Sequence, residues 1–329
     1  MKKVMKMKRL WIIILCLLLT CSCAPVSQEQ YLFAMDTVMT FRLEGDDGRV
    51  FALCRERVEQ LEKTISATDP ESALYQLNAA GTLSYHAELW PLLEQGLRIS
   101  RETDGALCLS LRPVTERWNF MGENPTVPSA EELEALRPLV DDAKIRMDKA
   151  AVTLEKGMKL DLGAVGKGYT ADELAKLLKE QKLGRYFLSL GGNVQVKGGN
   201  ADGTPWRIGI ADPDGGDYVG IVRLFDGAVV TSGGYQRNFR QNGTVYHHIL
   251  DRETLSPARS GLKSVTVVHP SGTVADALST AFFVMGEERA LAYCAAREEV
   301  GCVLIAEDDR VVIGGTVDFT LHNEKYKIA

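Results

Sequence analysis

The chain of 329 residues has a mass of 36.2 kDa, with 45% hydrophobic, 25% charged and 7% aromatic residues. These proportions are typical of a globular protein and exclude collagen-like, coiled-coil and disordered chains. Five basic residues precede position 10 and no acidic residue precedes Glu29, so removal of the N-terminus would change the net charge from −6 to −11. The remaining chain is too acidic to be a good partner for nucleic acid, because phosphate backbones are bound chiefly by Lys and Arg.

The N-terminus has the pattern of a bacterial lipoprotein signal peptide. Basic residues precede an apolar run over residues 10–19, and two cysteines, Cys21 and Cys23, follow it. The run is shorter than the roughly 20 residues that span a bilayer, so a transmembrane anchor is the weaker interpretation. We expect a signal peptide over residues 1–22, a short tether over 23–30 and one domain over 31–329. Acylation of Cys23, or of Cys21, would anchor the exported protein to the outer face of the cell membrane; plain secretion is the alternative.

Helices are predicted at four places in the first half of the chain. Apolar residues at helical spacing predict helices over residues 50–65 and 89–101. Ser129 with Glu132 forms a capping-box pattern that begins a helix toward residue 136. Thr170 with Glu173 predicts a second capping box and a helix toward residue 179.

From residue 186 the pattern changes to short apolar runs between glycine pairs and Asp-Gly turns. These runs predict strands over residues 186–190, 206–210, 220–225, 246–250 and 263–269, and a closing hairpin over 302–306 and 311–313. Helices over 274–285 and 287–297 interrupt the strands. Because helices and strands come in blocks, the pattern favours an α+β fold over a doubly wound sheet, and no linker after residue 30 divides the expected single body.

Four cysteines lie outside the predicted leader: Cys54, Cys108, Cys294 and Cys302. They form no CxxC pair and no close Cys/His group, so a zinc site has little support. Buried free thiols are the default expectation, because export permits disulfides without requiring them.

Asp276 and Thr280 are the first candidates for a functional site. They are four residues apart, so their oxygens project from one face near the start of a helix. A carboxylate with a hydroxyl is a suitable partial shell for Mg²⁺, which prefers oxygen ligands and often shares them with substrate phosphates. The alternative is structural, with Asp276 stabilising the helix N-terminus and Thr280 a core hydroxyl.

A glycine-rich bend over residues 160–169 is the second candidate. Its glycines let the backbone approach a ligand, the following helix offers free N–H groups, and Lys167 adds a positive charge. An anionic phosphate group would suit this segment, although the spacing is not that of a Walker loop. A plain turn before a helix is the alternative.

Two adjacent histidines, His247 and His248, are the third candidate. Strand alternation places them on opposite faces, so one can face a cleft. A histidine beside a metal-bound phosphate is a credible general base. The alternative is a surface pair at a strand end.

The chain resembles the ApbE family of FAD:protein FMN transferases. The resemblance rests on eight segments in family order: residues 35–37, 104–106, 161–169, 189–193, 205–210, 231–233, 246–251 and 275–280. Each is weak alone, but together they are highly specific and span almost the whole mature chain. The resemblance implies an ApbE-like, T-fold-related body and favours the functional interpretation at all three candidate sites.

Family membership would assign roles residue by residue. A metal would be held by the backbone carbonyl of Ala164 and the side chains of Asp276 and Thr280. His248 matches the family histidine near the reacting pyrophosphate, and it or Asp276 would accept the proton. Flavin contacts would fall at Met35, Thr68, Ala106, Leu107, Cys108, Asp161, Lys167 and Leu250.

The implied reaction uses Mg²⁺ and takes FAD as substrate. It joins the FMN half of FAD to a threonine hydroxyl of another protein through a phosphoester and releases AMP. The implied partners are flavin-accepting subunits of membrane redox complexes. Two alternatives remain: a Mg²⁺-dependent FAD pyrophosphatase that yields FMN and AMP, and a non-catalytic flavin-binding lipoprotein.

The chain departs from the family pattern at three places. Leu107 and Cys108 replace a usual phenylalanine and aspartate, Arg252 replaces a proline, and Gly234 replaces an acid before the tyrosine. Since Asp276 and Thr280 are retained, we expect catalysis to persist while flavin packing or affinity changes.

Overall fold

A computed structural model describes residues 29–120 and 122–329 of the chain. The predicted signal peptide and the two candidate acylation sites, Cys21 and Cys23, lie outside these residues. Within the described ranges, no helix has both the length and the hydrophobicity needed to cross a bilayer. The first strand begins at Glu29, so the last two residues of the predicted tether belong to the folded body.

The N-terminal half is mostly helical. It begins with a hairpin, β1 (Glu29–Ala34) and β2 (Thr37–Leu43). The helices that follow are α1 (Arg49–Ile65), α2 (Ala73–Ala80), α3 (Trp90–Glu102), α4 (Arg112–Trp118) and α5 (Ala130–Leu136). Short 3-10 turns lie at Leu109–Leu111, Arg137–Leu139 and Asp142–Lys144, and a small sheet is formed by β3 (Thr82–Ser84), β4 (Arg146–Met147) and β5 (Ala151–Thr153).

The C-terminal half supplies most strands and three further helices. In chain order these elements are α6 (Gly166–Glu180), β6 (Tyr186–Leu190), β7 (Asn193–Lys197), β8 (Trp206–Ala211), β9 (Tyr218–Leu224), β10 (Gly227–Gly233), β11 (Asn238–Gln241), β12 (Thr244–His247), β13 (Leu250–Asp251), β14 (Ser256–Pro257), β15 (Leu262–His269), α7 (Gly272–Met285), α8 (Glu287–Ala295), β16 (Gly301–Ala306), β17 (Arg310–Gly314), β18 (Phe319–Leu321) and β19 (Lys327–Ile328).

A nine-stranded sheet organises the molecule. Its order is β1-β2-β6-β7-β10-β15-β16-β17-β19, and every neighbouring pair is antiparallel except β17 with β19. A smaller sheet, β18-β9-β8, covers part of one face. Helices α6 and α7 pack side by side on the opposite face, and α7 lies over β10 and β15. The predicted α+β class is therefore confirmed.

The sequence pattern explains this layering. Strand β8 alternates buried Trp206, Ile208 and Ile210 with outward residues, as expected for a sheet with one solvated face. Strand β16 is buried along its whole length, because helices cover one of its faces and the smaller sheet covers the other. Helix α1 buries Cys54, Val58 and Leu61 along one stripe, as its helical spacing predicts.

Most predicted elements are confirmed, but two predictions are wrong. Thr170 is not an N-cap: α6 begins four residues earlier, and the Thr170 hydroxyl donates 2.9 Å to the Gly166 carbonyl inside the helix. The strand predicted over residues 246–250 is broken after His247, where the chain bends at His248 before β13 begins at Leu250. The capping box of Ser129 and Glu132 is confirmed with both of its hydrogen bonds.

Candidate active site

Helices α6 and α7 cross at two glycines, and the candidate site lies at this crossing. A β-carbon on Gly168 would lie 2.2 Å from the Gly272 carbonyl oxygen, and one on Gly272 would lie 2.8 Å from the Gly168 carbonyl oxygen. Both distances are shorter than real contacts, so only glycine permits this approach. The crossing brings the Gly168 N–H within 2.8 Å of Oδ2 of Asp276, to which it donates. The glycine-rich bend and the Asp276 helix, predicted as separate sites, therefore meet.

Asp276 is a buried carboxylate, 4% exposed, in a polar setting. Burial raises its pKa, whereas nearby Lys167, the Gly168 N–H and the Asn193 amide act in the opposite direction. The buried Nδ2 of Asn193 makes no hydrogen bond of normal geometry. A nearby cation would stabilise such a buried carboxylate, because the opposite charge offsets its lost hydration.

Asp276 and Thr280 offer oxygen atoms of the type that Mg²⁺ prefers. Thr280 lies one turn beyond Asp276 on α7, and its hydroxyl is 3.3 Å from Oγ of Ser232 at the end of β10. Ala164 lies in the bend just before α6 and is half-buried. No cluster of three or more His, Cys, Asp or Glu side chains occurs among residues 29–120 and 122–329. One carboxylate, a hydroxyl and a carbonyl leave positions for water or phosphate oxygens, as Mg²⁺ prefers.

Asp172 fixes the start of α7, a role that the sequence analysis missed. Its carboxylate accepts from the hydroxyls of Ser271 and Thr273 at 2.6 and 2.7 Å, and from the N–H groups of Gly272 and Thr273 at 2.7 and 2.9 Å. These are the free donors of a helix N-terminus, supplied with an acceptor from a different helix. Local sequence carries no signal of this bond, because Asp172 lies about 100 residues before its partners.

The two histidines do face different surroundings. His247 is buried, packs edge-on against Phe283, and its Nε2 lies 3.1 Å from the Ala258 carbonyl. Nδ1 of His248 lies 3.2 Å from the Arg237 carbonyl, which can only accept, so Nδ1 carries the proton. Nε2 of His248 is then the basic nitrogen. Burial lowers the pKa of His248 to about 4, and the positive charges of Arg237 and Lys167 act in the same direction.

The candidate flavin contacts come from several elements. Met35 lies in the turn between β1 and β2, and the Thr170 hydroxyl lies 3.7 Å from its sulfur, which places it beside α6. The Asp161 N–H donates 2.7 Å to the Leu109 carbonyl, joining the glycine-rich bend to the segment that holds Ala106, Leu107 and Cys108. Cys108 and Leu250 belong to one buried apolar cluster. The contacts of Thr68 are local: it is exposed, and its hydroxyl lies 3.3 Å from Ser66 Oγ.

Leu107 and Cys108, which depart from the family pattern, are both buried. The Cys108 sulfur lies 3.5 Å from Oδ1 of Asp142, a buried carboxylate that also accepts from the N–H groups of Leu109 and Ser110. Position 108 carries a cysteine in place of the usual aspartate, but the carboxylate of Asp142 lies beside it. Arg252 lies against Gly105, where an added β-carbon would be 2.2 Å from Nη1.

Comparison with known proteins places the chain in a family. The model of the ApbE family matches residues 35–304. A FAD:protein FMN transferase of Treponema pallidum is 34% identical over 284 residues, covering 79% of this chain and 78% of the relative. The FAD:protein FMN transferase of Escherichia coli K12 is 31% identical over 281 residues, with 78% of each protein covered. The chain therefore belongs to the ApbE family.

Solved structures show the same relationship. The crystal structure of an ApbE protein from Thermotoga maritima has a TM-score of 0.79 and 31% identity, covering 88% of this chain and 96% of that one. The apo flavinyl transferase ApbE of Pseudomonas stutzeri has a TM-score of 0.77 and 27% identity, covering 88% and 94%. The single α+β body described above is thus the fold of flavin transferases.

Proposed function

We propose that this protein is a flavin transferase that uses Mg²⁺ to move the FMN half of FAD onto a threonine hydroxyl of an acceptor protein, releasing AMP. Membership of the ApbE family and the named activity of its relatives support FMN transfer. The observation that carries the metal assignment is the bond from the Gly168 N–H to Asp276, which joins a phosphate-suited bend to a buried carboxylate.

In this proposal, the metal would be held by Asp276, Thr280 and the Ala164 carbonyl. When bound, Mg²⁺ would neutralise charge on the pyrophosphate of FAD. Lys167 adds positive charge at the start of α6, where free N–H groups favour phosphate. The threonine oxygen attacks the phosphorus of the FMN phosphate, the P–O bond to AMP breaks, and AMP leaves with the bridging oxygen.

His248 is the proposed acceptor of the threonine proton. Its Nδ1–H is directed to the Arg237 carbonyl, so the Nε2 lone pair is free to accept. Burial lowers its pKa to about 4, so His248 is neutral at neutral pH, although a pKa this low makes it a weaker base than an ordinary histidine. The carboxylate of Asp276, whose pKa is raised by burial, is the alternative acceptor of the proton.

The flavin would be held by Met35, Thr68, Ala106, Leu107, Cys108, Asp161, Lys167 and Leu250. Asp161 is positioned for this by its own bonds: Oδ1 accepts 2.8 Å from the Gly163 N–H, and Oδ2 lies 3.4 Å from the Thr115 hydroxyl and 3.6 Å from the Arg112 guanidinium. A carboxylate fixed in this way can accept from a flavin or ribose donor.

The first test incubates the detergent-solubilised protein with FAD and Mg²⁺, with and without an acceptor domain containing a flavinylation threonine. AMP release and in-gel flavin fluorescence of the acceptor are measured. A fluorescent acceptor with matching AMP supports the transferase. AMP and free FMN with a dark acceptor favour a pyrophosphatase, and intact FAD that stays bound favours a carrier.

The metal site is tested with Asp276→Asn, which keeps the volume of the side chain. We expect Mg²⁺-dependent AMP release to fall by about 100-fold or more. The matched control is Asp212→Asn, another buried carboxylate, which accepts from Asn323 and the Asp214 N–H. That variant should lose stability but keep activity, and full activity of Asp276→Asn would contradict the assignment.

We further propose that the protein is exported and lipid-anchored at Cys23 or Cys21, facing flavin-accepting subunits of membrane redox complexes. The basic residues, apolar run and cysteines of the first 23 positions support this. Labelling with a palmitate analogue should mark the wild type and be lost in Cys23→Ala or Cys21→Ala, whichever removes the acylated thiol. Labelling retained in both single variants and in the double variant would reject the anchor.

A further inference from the structure

Cys294 and Cys302 form a buried pair of thiols that the proposed transfer reaction does not use. Cys294 lies in α8 and Cys302 in β16, and their sulfur atoms are 3.5 Å apart. Both side chains are buried, at 3% and 0% exposed. A disulfide needs a sulfur separation of about 2.05 Å, so the two sulfurs would have to approach by about 1.5 Å.

Gly314 packs directly against this pair. Cys302 is opposite Gly314 in the β16–β17 register. A β-carbon on Gly314 would lie 2.8 Å from the Cys302 sulfur and 3.4 Å from the Cys294 β-carbon. A larger residue at position 314 would displace the two cysteines, so the glycine permits their close approach.

The other two described cysteines have no such partner in residues 29–120 and 122–329. Cys54 lies under the β1–β2 hairpin, and Cys108 lies beside Ser110 and Asp142. Both belong to clusters separate from the core that holds Cys294 and Cys302. Any specific cross-link within the folded domain thus falls on the Cys294–Cys302 pair.

We propose that Cys294 and Cys302 form a disulfide when the exported chain folds, an inference that rests on the proposed export and not on flavin transfer. One cysteine thiolate attacks the disulfide of a dithiol oxidase of the export compartment, which forms a mixed disulfide. The second thiolate displaces the oxidase sulfur. The protein loses two hydrogens as two protons and two electrons, and the oxidase disulfide is reduced to a dithiol.

The cross-link would attach α8 to the central sheet. Gly286 ends α7 and begins α8, so the position of α8 bears on the helix that carries Asp276 and Thr280. The loop that the disulfide would close is short, about eight residues. We expect the oxidised protein to unfold about 3–8 °C above the reduced protein.

The test isolates the full-length protein from the envelope of expressing cells, denatures it and alkylates free thiols before any reduction. We expect Cys54 and Cys108 to be alkylated, and Cys294 and Cys302 to be alkylated only after reduction, with one cross-linked peptide 2 Da lighter than its dithiol form. Alkylation of both Cys294 and Cys302 without reduction would overturn the proposal. Cys54→Ser is the matched control and should leave the cross-link unchanged.

A second measurement separates the pair's chemistry from the route of export. The reduced full chain is refolded in a mixture of reduced and oxidised glutathione and mapped by mass spectrometry. Formation of the Cys294–Cys302 link, and its absence in Cys294→Ser, supports the proposal. A link from Cys294 or Cys302 to another cysteine, or free thiols at both of these positions, rejects it even if flavin transfer is intact.

Discussion

The backbone N–H of Gly168 donates a 2.8 Å hydrogen bond to Oδ2 of Asp276, and this bond joins the two helices of the candidate active site. Its donor belongs to the first turn of α6, and its acceptor belongs to the second turn of α7. One carboxylate oxygen is thereby held by protein, and the other is the proposed ligand for Mg²⁺. The bond exists only because two glycines let the helices approach so closely.

Gly168→Ala should remove this arrangement. The new β-carbon would lie 2.2 Å from the Gly272 carbonyl oxygen and 2.6 Å from the Asp276 β-carbon, and neither atom is at the end of a flexible side chain. We expect a loss of about 3 kcal/mol in the free energy of unfolding and a fall of more than about 10-fold in Mg²⁺-dependent AMP release. Urea unfolding and AMP assays measure the two effects.

The matched control is Gly184→Ala, where an added β-carbon meets nothing within 4 Å. That variant should keep wild-type activity and stability. Equal behaviour of the two variants would show that the helix crossing does not hold the site together.

Asp172→Asn should weaken the start of α7. The carboxylate accepts four hydrogen bonds, and an amide retains one oxygen while turning an N–H group toward donors. We expect a loss of about 1–3 kcal/mol in the free energy of unfolding, with weaker Mg²⁺ activation because α7 carries Asp276. Asp47→Asn, an exposed partner of Arg49, should be near neutral; unchanged Mg²⁺ titration of Asp172→Asn would contradict the positioning role.

The sequence predicts the elements better than the contacts between them. Apolar residues at helical spacing locate α1, and a continuous apolar run locates β16, because these elements must bury such residues whatever their neighbours are. Thr170 shows the limit: its residue type and spacing fit an N-cap, but the turn at residues 162–165 and the crossing with α7 start the helix earlier. Asp172 and Asp142 act on partners far along the chain, so no local pattern reveals them.

Cys108→Asp, which restores the usual family residue, should destabilise this protein. Asp142 already places a carboxylate oxygen 3.5 Å from the position 108 sulfur, and both sites are buried. Two like charges there should cost about 2–4 kcal/mol of unfolding free energy. Cys108→Ser, which adds no charge, is the control and should change stability little.

A double-mutant cycle tests the cause of that loss. Asp142→Asn alone should also destabilise, because its carboxylate accepts from Leu109 and Ser110. In the Cys108→Asp background, however, Asp142→Asn removes the repulsion between two carboxylates. The double variant should therefore lose about 1–2 kcal/mol less unfolding free energy than the sum of the two single losses. Additive losses would mean that the side chains at positions 108 and 142 do not interact electrostatically.

Acidification should destabilise the protein through His248. Burial lowers the pKa of His248 to about 4 in the folded state, against an ordinary value of about 6.5 in the unfolded chain. Between these values the unfolded state binds more protons, so the free energy of unfolding falls as pH decreases from 6.5 to 4 and is insensitive to His248 above that window. His248→Gln should flatten the decline measured by urea unfolding at pH 7.5, 6 and 5, by about 1–3 kcal/mol at the acid end.

His322→Gln, at an exposed histidine, should retain the wild-type slope. The comparison between variants isolates His248 from the buried carboxyl of Asp276, whose raised pKa changes stability in the opposite sense. Equal slopes for wild type and His248→Gln would show that His248 is solvated, which would also weaken its assignment as a desolvated proton acceptor.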